Sequence, residues 1–340
     1  MQPLISAVIP VYNMAERLKY MVESLRNQDY TNLEVIICDD ASTDGVGQYL
    51  EELLRKNYFS RTVVLHNSTN KGVSFSRNLG AKSAHGEYVN FLDADDLVEP
   101  NFFSSLYRAL SENKSEYAAC GYKSLDLKNN HVKCHYLKVP ENASSEEILL
   151  GRLLNRYEIS HCALLIKRSF LFSSSLFYSE GCSAGEDMEF LIRLLSTGAR
   201  GAFIKDCLYT YVQYEQMGSR KNTRSMSKRI QRYYEHTEAQ FREIECIKSH
   251  CHSKKVTNVV NFLMNPAAWQ RRLSYYAMTG QELLFKETLS RSDVRSILRG
   301  SVGSAFYKPE VYFRSLAVLY LPRLYYKKYN CRQMAIKAKR

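Results

Sequence analysis

No stretch of this 340-residue sequence reaches the roughly 18 uncharged residues that a membrane-spanning helix requires, so no such helix is expected. No internal repeat and no low-complexity linker occurs, which leaves no basis for a solenoid or a tethered array. The nine cysteines scatter without a repeating spacing, and no secretory signal precedes the first strand-like run. Free thiols in a reducing cytoplasm are therefore expected, and the Asn-x-Ser/Thr triplets at Asn67, Asn113 and Asn142 carry no meaning. Cys246, His250, Cys251 and His252 lie close together, but a zinc site needs four ligands, usually in two paired spacings. With no second pair, a plain helical surface is expected there. Acidic residues are absent after Glu310, where Arg314, Arg323, Lys327, Lys328, Arg332, Lys337, Lys339 and Arg340 are all basic.

The chain carries 47 basic and 35 acidic residues, a net charge of +12. Such a balance suits nucleic acid, an anionic membrane or phosphorylated substrates. The first hundred residues alternate strand and helix patterns. Strands are expected at Ile5 to Val11, Leu33 to Cys38, Thr62 to Leu65 and Tyr88 to Leu92. Between them fall helical spacings at Leu18 to Leu25, Val46 to Leu54 and Gly72 to Ala84. Asn13 with Glu16 looks like a helix N-cap pair. This alternation predicts an α/β fold with a mainly parallel, doubly wound sheet, and ligands bind beyond the carboxyl ends of its strands. Pro100 is expected to open a helix. From about 117 to 215 the pattern is mixed, with strands at Tyr117 to Tyr122, Ala163 to Ile166 and Ala202 to Lys205 and a helix at Asp187 to Thr197. Beyond about 224 the chain reads as helical and basic.

Three acidic clusters stand out. Asp39-Asp40 ends one apolar run, Asp93-Ala94-Asp95-Asp96 ends another, and Glu186-Asp187 opens a helix-like stretch. Carboxylates held just past buried strands can bind a divalent cation, and a cation can hold a diphosphate. That points to a nucleotide-activated substrate, with one carboxylate left as a base.

Five segments occur in a familiar order: Val8-Ile9-Pro10-Val11-Tyr12-Asn13; Cys38 to Asp44; Asn70-Lys71-Gly72 with Ser76-Arg77-Asn78; Gly86 to Asp96; and Gly185-Glu186-Asp187. Over residues 4 to about 215 the chain resembles the family 2 glycosyltransferases, whose fold is called GT-A. The resemblance implies residues 1–100 as the nucleotide-sugar-binding half, 101–220 as the acceptor-binding half with the catalytic base, and 221–340 as a helical, basic extension. It implies that Pro10, Tyr12 and Asn13 line the base and ribose pocket. Asp40 is then the acceptor for a uracil N–H, with Asp39 a weaker choice. Arg77, beside Asn70, Gly72 and Asn78, would reach base or phosphate. Asp93-Ala94-Asp95 resembles the DxD motif, with Asp95 the main ligand of Mn2+ or Mg2+ and Asp93 shared between ribose and metal. Asp96 either helps at the metal or caps the helix before Pro100, with the cap favoured. Glu186-Asp187 matches the Glu-Asp pair, with Asp187 as base, and single displacement with a base implies inversion. Tyr209-x-Tyr211 with Ser219-Arg220 resembles the segment closing over the diphosphate, where Arg220 and Lys221 would supply charge. Relatives often carry a His in that stretch, and this chain has none between His161 and His236. Trp269-Gln270-Arg271-Arg272-Leu273 does not match the Gln-x-x-Arg-Trp of processive synthases, so one sugar per event is expected.

The implied donor is a UDP-sugar, and the implied acceptor is a bacterial surface glycan precursor, on a polyprenyl diphosphate carrier or free. No nucleic-acid partner is expected. The basic, aromatic segment Val311 to Tyr329 suits the inner face of a membrane. Two rival readings are weaker. A sugar-phosphate nucleotidyltransferase needs a Gly-rich loop after strand one, where this chain has Pro10-Val11-Tyr12-Asn13. A non-enzymatic basic protein leaves the acidic clusters unexplained.

Overall fold

The computed structural model describes residues 2–140, 142–182, 184–214, 226–301 and 309–337. The chain divides into two compact units, Met1–Asn222 and Thr223–Arg340.

The first unit is built on one nine-stranded sheet among the described residues, ordered β3-β2-β1-β4-β8-β6-β9-β5, with β7 on β6. Strands β1 (Ile5–Val11), β2 (Leu33–Asp39), β3 (Arg61–His66) and β4 (Tyr88–Phe91) form its parallel half. Every residue of β1, β2 and β4 is buried, as strands covered on both faces must be. Helices α1 (Ala15–Arg26), α2 (Val46–Lys56) and α3 (Val73–Ser83) connect them. Register places Val11 opposite Asp39 and Asp39 opposite His66, so these strand ends share one edge.

Beyond β4 the sheet turns mixed. Strand β5 (Leu97–Val98) pairs antiparallel with β9 (Gly201–Gln213); β6 (Tyr117–Asp126) pairs with the hairpin strand β7 (His131–His135), with β8 (Leu164–Lys167) and, in parallel, with β9. Strands β6 and β9 run past their apolar cores: Lys123 and Asp126 stay paired, with Thr210 and Gln213, while Lys205 and Asp206 fall where the register shifts. Gly121 marks an irregularity in register there; a Cβ at this position would lie 2.8 Å from the His135 carbonyl and 2.9 Å from that of Lys205. Helix α4 (Phe102–Glu112) starts two residues after Pro100. Among the described residues, the remaining α-helices of the unit are α5 (Ser145–Leu153), α6 (Arg168–Ser173) and α7 (Glu186–Ser196). A capping box of Ser144 and Glu147 opens α5, a helix that the mixed pattern of this region concealed.

Two sequence expectations give way. Asn13 does not cap α1: its side chain accepts from the Thr43 N–H at 2.7 Å, and the Asp44 carboxylate instead accepts from Ala15 N–H at 2.8 Å. The cap thus arrives from the loop after β2. Asp96 caps no helix either, because its carboxylate takes the Tyr209 hydroxyl and, at 2.8 Å, the Val212 N–H, anchoring β9.

The second unit is helical among its described residues: Met226–His250, Lys254–Val259 leading through a π turn into Asn265–Thr279, then Glu282–Ser290, Ser292–Gly300, Pro309–Tyr320 and Pro322–Lys337. Leu273, Phe285, Val294, Leu298, Val318 and Tyr325 fill its core. Buried Gln270 donates to the Val311 carbonyl at 2.7 Å, and Ser274 pairs with the Tyr325 hydroxyl at 2.7 Å. The basic, aromatic segment is therefore split: Leu319 and Tyr325 face inward, while Phe313, Tyr320, Leu321 and Leu324 are exposed.

Candidate active site

The site lies past the carboxyl ends of β1, β2 and β4. Asp40 follows β2 directly and is 3% exposed. Its carboxylate accepts from Asn67 Nδ2, Lys71 N and Gly72 N, each at 2.8 Å. An ionised carboxylate has about four acceptor positions, and three are spent on fixing the loop into α3. Gly72 sits there with φ +90°, a conformation that favours glycine. Asp39 accepts from Ser42 N at 3.0 Å and approaches His66 Nδ1 at 3.1 Å. Pro10 is buried in β1, Tyr12 is 45% exposed, and Asn70 is exposed on the loop that Asp40 holds.

Arg77 departs from its sequence reading. It is buried, and its guanidinium donates to Asp93 Oδ1 at 2.7 Å, faces Glu186 Oε1 at 3.6 Å and lies 4.8 Å from the centre of the Tyr178 ring. Held this way, the side chain braces the interior. Burial acts against its charge, but the Asp93 carboxylate together with Tyr178, Cys162 and Glu186 raises its pKa on balance. Gly80, one turn along α3, allows this depth: a Cβ there would fall 2.3 Å from Val8 Cγ1. Asn78 completes the brace, donating to the Tyr178 carbonyl at 2.9 Å and accepting from Tyr178 N at 2.8 Å. Helix α3 thus ties the Asp93 motif to the segment leading into α7.

Burial pushes the Asp93 carboxyl up, but Arg77 and then His161 overcome it, so the net shift is downward. Asp96 goes the other way, to about 8, through burial and then the charges of Asp93 and Asp95. This repulsion records a concentration of negative charge that a dication would relieve. Asp95 meets Arg17 at 3.4 Å, and Arg17 stacks over the Tyr214 ring at 4.1 Å. Ala94 between them is buried in the core. Two carboxylates at this spacing offer the hard oxygen donors that Mn2+ and Mg2+ accept, so the donor set fits such an ion.

Helix α7 begins after Gly185, whose φ is +86°. Burial raises the Glu186 pKa against the opposing charge of Arg77. Asp187, next in the chain, is exposed. It lines a cavity of about 520 Å³ together with Asp93, Asp96, His161, Tyr122, Arg152 and Tyr209. The structure therefore brings Asp93, Arg77, Glu186 and Asp187 together, while Asp40 holds the loop carrying Gly72 and Asn13 holds the loop after β2. Ser219, Arg220 and Lys221 lie outside the described residues.

Several cavity residues escaped the sequence reading, among them Tyr122, Arg152, His161 and Cys162. Tyr122 stacks on His135 with ring centres 4.4 Å apart, and His135 approaches Glu158 at 2.6 Å. Arg152 reaches the wall on α5, which the Ser-x-x-Glu cap signal at 144–147 could have revealed. His161 and Cys162 form a single 3-10 turn before β8, and only strand pairing brings them to Asp93.

The chain is similar to known glycosyltransferases. The family model described as glycosyl transferase family 2 matches residues 6–172. Glycosyltransferase GlyG of Streptococcus pneumoniae is 28% identical over 218 residues, covering 62% of this chain and 71% of that protein. The minor teichoic acid biosynthesis protein GgaB of Bacillus subtilis is 26% identical over 316 residues, covering 89% of this chain but 34% of its own length. Residues 1–349 of S. aureus TarS, solved with UDP-GlcNAc, superpose with a TM-score of 0.68 at 20% identity, covering 99% of this chain and 92% of that one. At that identity the TarS likeness is one of fold, and the fold is GT-A.

Proposed function

The chain belongs to glycosyltransferase family 2, and from that premise we propose that it moves one sugar from a UDP-sugar to a hydroxyl of a bacterial surface-glycan precursor, with inversion. The observation that carries this reading is the Asp93–Arg77–Glu186 brace, which sets a DxD carboxylate and the Asp187 carboxylate on one cavity.

The acceptor hydroxyl enters the cavity and gives its proton to Asp187. Its oxygen bonds to the anomeric carbon as the bond from that carbon to the diphosphate breaks, and the electron pair leaves with UDP. A carboxylate within hydrogen-bond reach of the attacking hydroxyl accelerates such a step by about 10²–10⁴-fold. Glu186, pinned toward Arg77, orients the first turn of α7 and with it Asp187. A divalent cation held by Asp93 and Asp95 supplies charge neutralisation for the diphosphate when bound. Asp40 holds the Asn70-Lys71-Gly72 loop as a floor for the nucleotide, leaving one acceptor position for the base. Tyr12 presents an exposed ring at the end of β1.

The donor assignment is supported by the UDP-GlcNAc bound to TarS, and the acceptor class by the name of GgaB. Among the described residues no helix is long and apolar enough to cross a membrane. Exposed Phe313, Tyr320, Leu321 and Leu324 with Arg323, Lys327 and Lys328 favour peripheral attachment to the inner membrane face, where a polyprenyl-diphosphate-linked acceptor would lie.

The test is a panel of nucleotide sugars with Mn2+, read as UDP release and as the anomeric configuration of the product by NMR. An inverted linkage formed from a UDP-sugar is expected. A retained configuration, or no turnover of any nucleotide sugar, overturns the reading.

A further inference from the structure

We propose that Asp93, His161 and Cys162 form a binding site for a thiophilic divalent cation of the zinc class. One ligand atom from each residue lies within 4.8 Å of the other two. Cys162 Sγ and His161 Nε2 are 3.2 Å apart. Zinc bonds of about 2.0–2.3 Å set neighbouring ligands of a tetrahedral ion about 3.5 Å apart. The pair is thus near its final spacing, and the Asp93 oxygen has at most about an ångström to close.

The sheet organises these ligands in advance. Asp93 follows β4, His161 and Cys162 form the turn entering β8, and β4 pairs with β8 through Tyr88–Lys167 and Val89–Ile166. Buried Asn90, on β4, donates to the Cys162 carbonyl at 3.0 Å and to the Leu164 carbonyl at 2.6 Å, fixing that turn against the strand. All three ligand residues line the 520 Å³ cavity, so an ion has a path in.

The donor atoms choose the metal. Imidazole nitrogen and thiolate sulfur select zinc and its analogues over magnesium, calcium or manganese. Three protein ligands beside an open cavity match a zinc site that keeps one position for solvent. As the sulfur–metal bond forms, the thiol proton passes to solvent. This site shares Asp93 with the Mn2+ or Mg2+ pair but does not use the Asp95 carboxylate, which lies with Arg17. A cation here competes with Arg77 for Asp93, now 2.7 Å from it, so zinc would inhibit a reaction that needs that brace. The inhibition rests on the transferase reading, whereas binding does not.

Cobalt titrated into the metal-free full chain tests the site through its absorption spectrum. Expected are one tightly bound cobalt, visible bands of a tetrahedral ion, a near-ultraviolet thiolate-to-cobalt band, and loss of all three on adding zinc. Cys162→Ser should lose the thiolate band. His161→Gln, at a partly exposed position, should weaken binding ~10-fold or more. Asp95→Ala should leave the spectrum intact. Absence of the thiolate band from the wild-type protein overturns the proposal, as does its persistence in Cys162→Ser. Should Cys162→Ser fail to fold, unchanged cobalt affinity in His161→Gln overturns it equally.

Discussion

Replacing Arg77 with Met separates an internal brace from a nucleotide contact. Met keeps much of the side-chain volume and removes the charge. It leaves Asp93 without its partner at 2.7 Å and Glu186 without the cation at 3.6 Å, both around a guanidinium that is 3% exposed. Removing one member of a buried ion pair costs about 3–5 kcal/mol, and the Asp93 side chain, 31% exposed, puts this pair at the low end. Loss of the contact with the Tyr178 ring adds up to about 2 kcal/mol. Urea denaturation of Arg77→Met should therefore show a loss of at least about 3 kcal/mol. Arg77→Met combined with Asp93→Asn should recover part of that loss, since the stranded carboxylate is gone. Arg77→Lys should recover less than a like charge suggests, because one ammonium cannot fork between two carboxylates. An unchanged urea midpoint in Arg77→Met, with weakened UDP binding alone, refutes the brace and restores the base-contact reading.

Asp96→Asn should flatten the pH dependence of stability in metal-free buffer. The folded pKa of Asp96 is raised to about 8, so the folded state holds a proton that the unfolded state releases from about pH 4 upward. Its contribution to stability is present below pH 4 and is lost as pH rises toward 8, at up to ~1.4 kcal/mol per pH unit; a wild-type profile as flat as the variant's would contradict this. EDTA should stop sugar transfer and Mn2+ or Mg2+ should restore it in the wild type but not in Asp95→Ala, and full activity in EDTA would remove the metal from the account. Changing exposed Leu321 and Leu324 to Ser should reduce sedimentation with anionic vesicles without shifting the melting temperature, whereas equal sedimentation would count against membrane attachment.

The parallel half of the sheet was legible because its strands are short, β-branched and bounded by turns, and Asp39, Asp40 and Asp93 fall at strand ends by that logic alone. The direction of Arg77 was not legible. A basic residue on a helix reads as solvated, and only the close approach of α3 to β1, allowed by Gly80, turns it inward. Asp96 was misread because its partners, Tyr209 and Val212, lie more than a hundred residues away. His161 was invisible for the same reason: it meets Asp93 through the β4–β8 pairing, which no local pattern encodes. Local periodicity reports which residues are buried, while long-range pairing decides what they are buried against.

The most direct test of the central claim is Asp187→Asn, an exposed position where the amide fits the same space. With a UDP-sugar that supports turnover, the account predicts unchanged donor affinity by calorimetry and a fall in transfer rate of about 10²-fold or more. Transfer within a few-fold of the wild-type rate would contradict it.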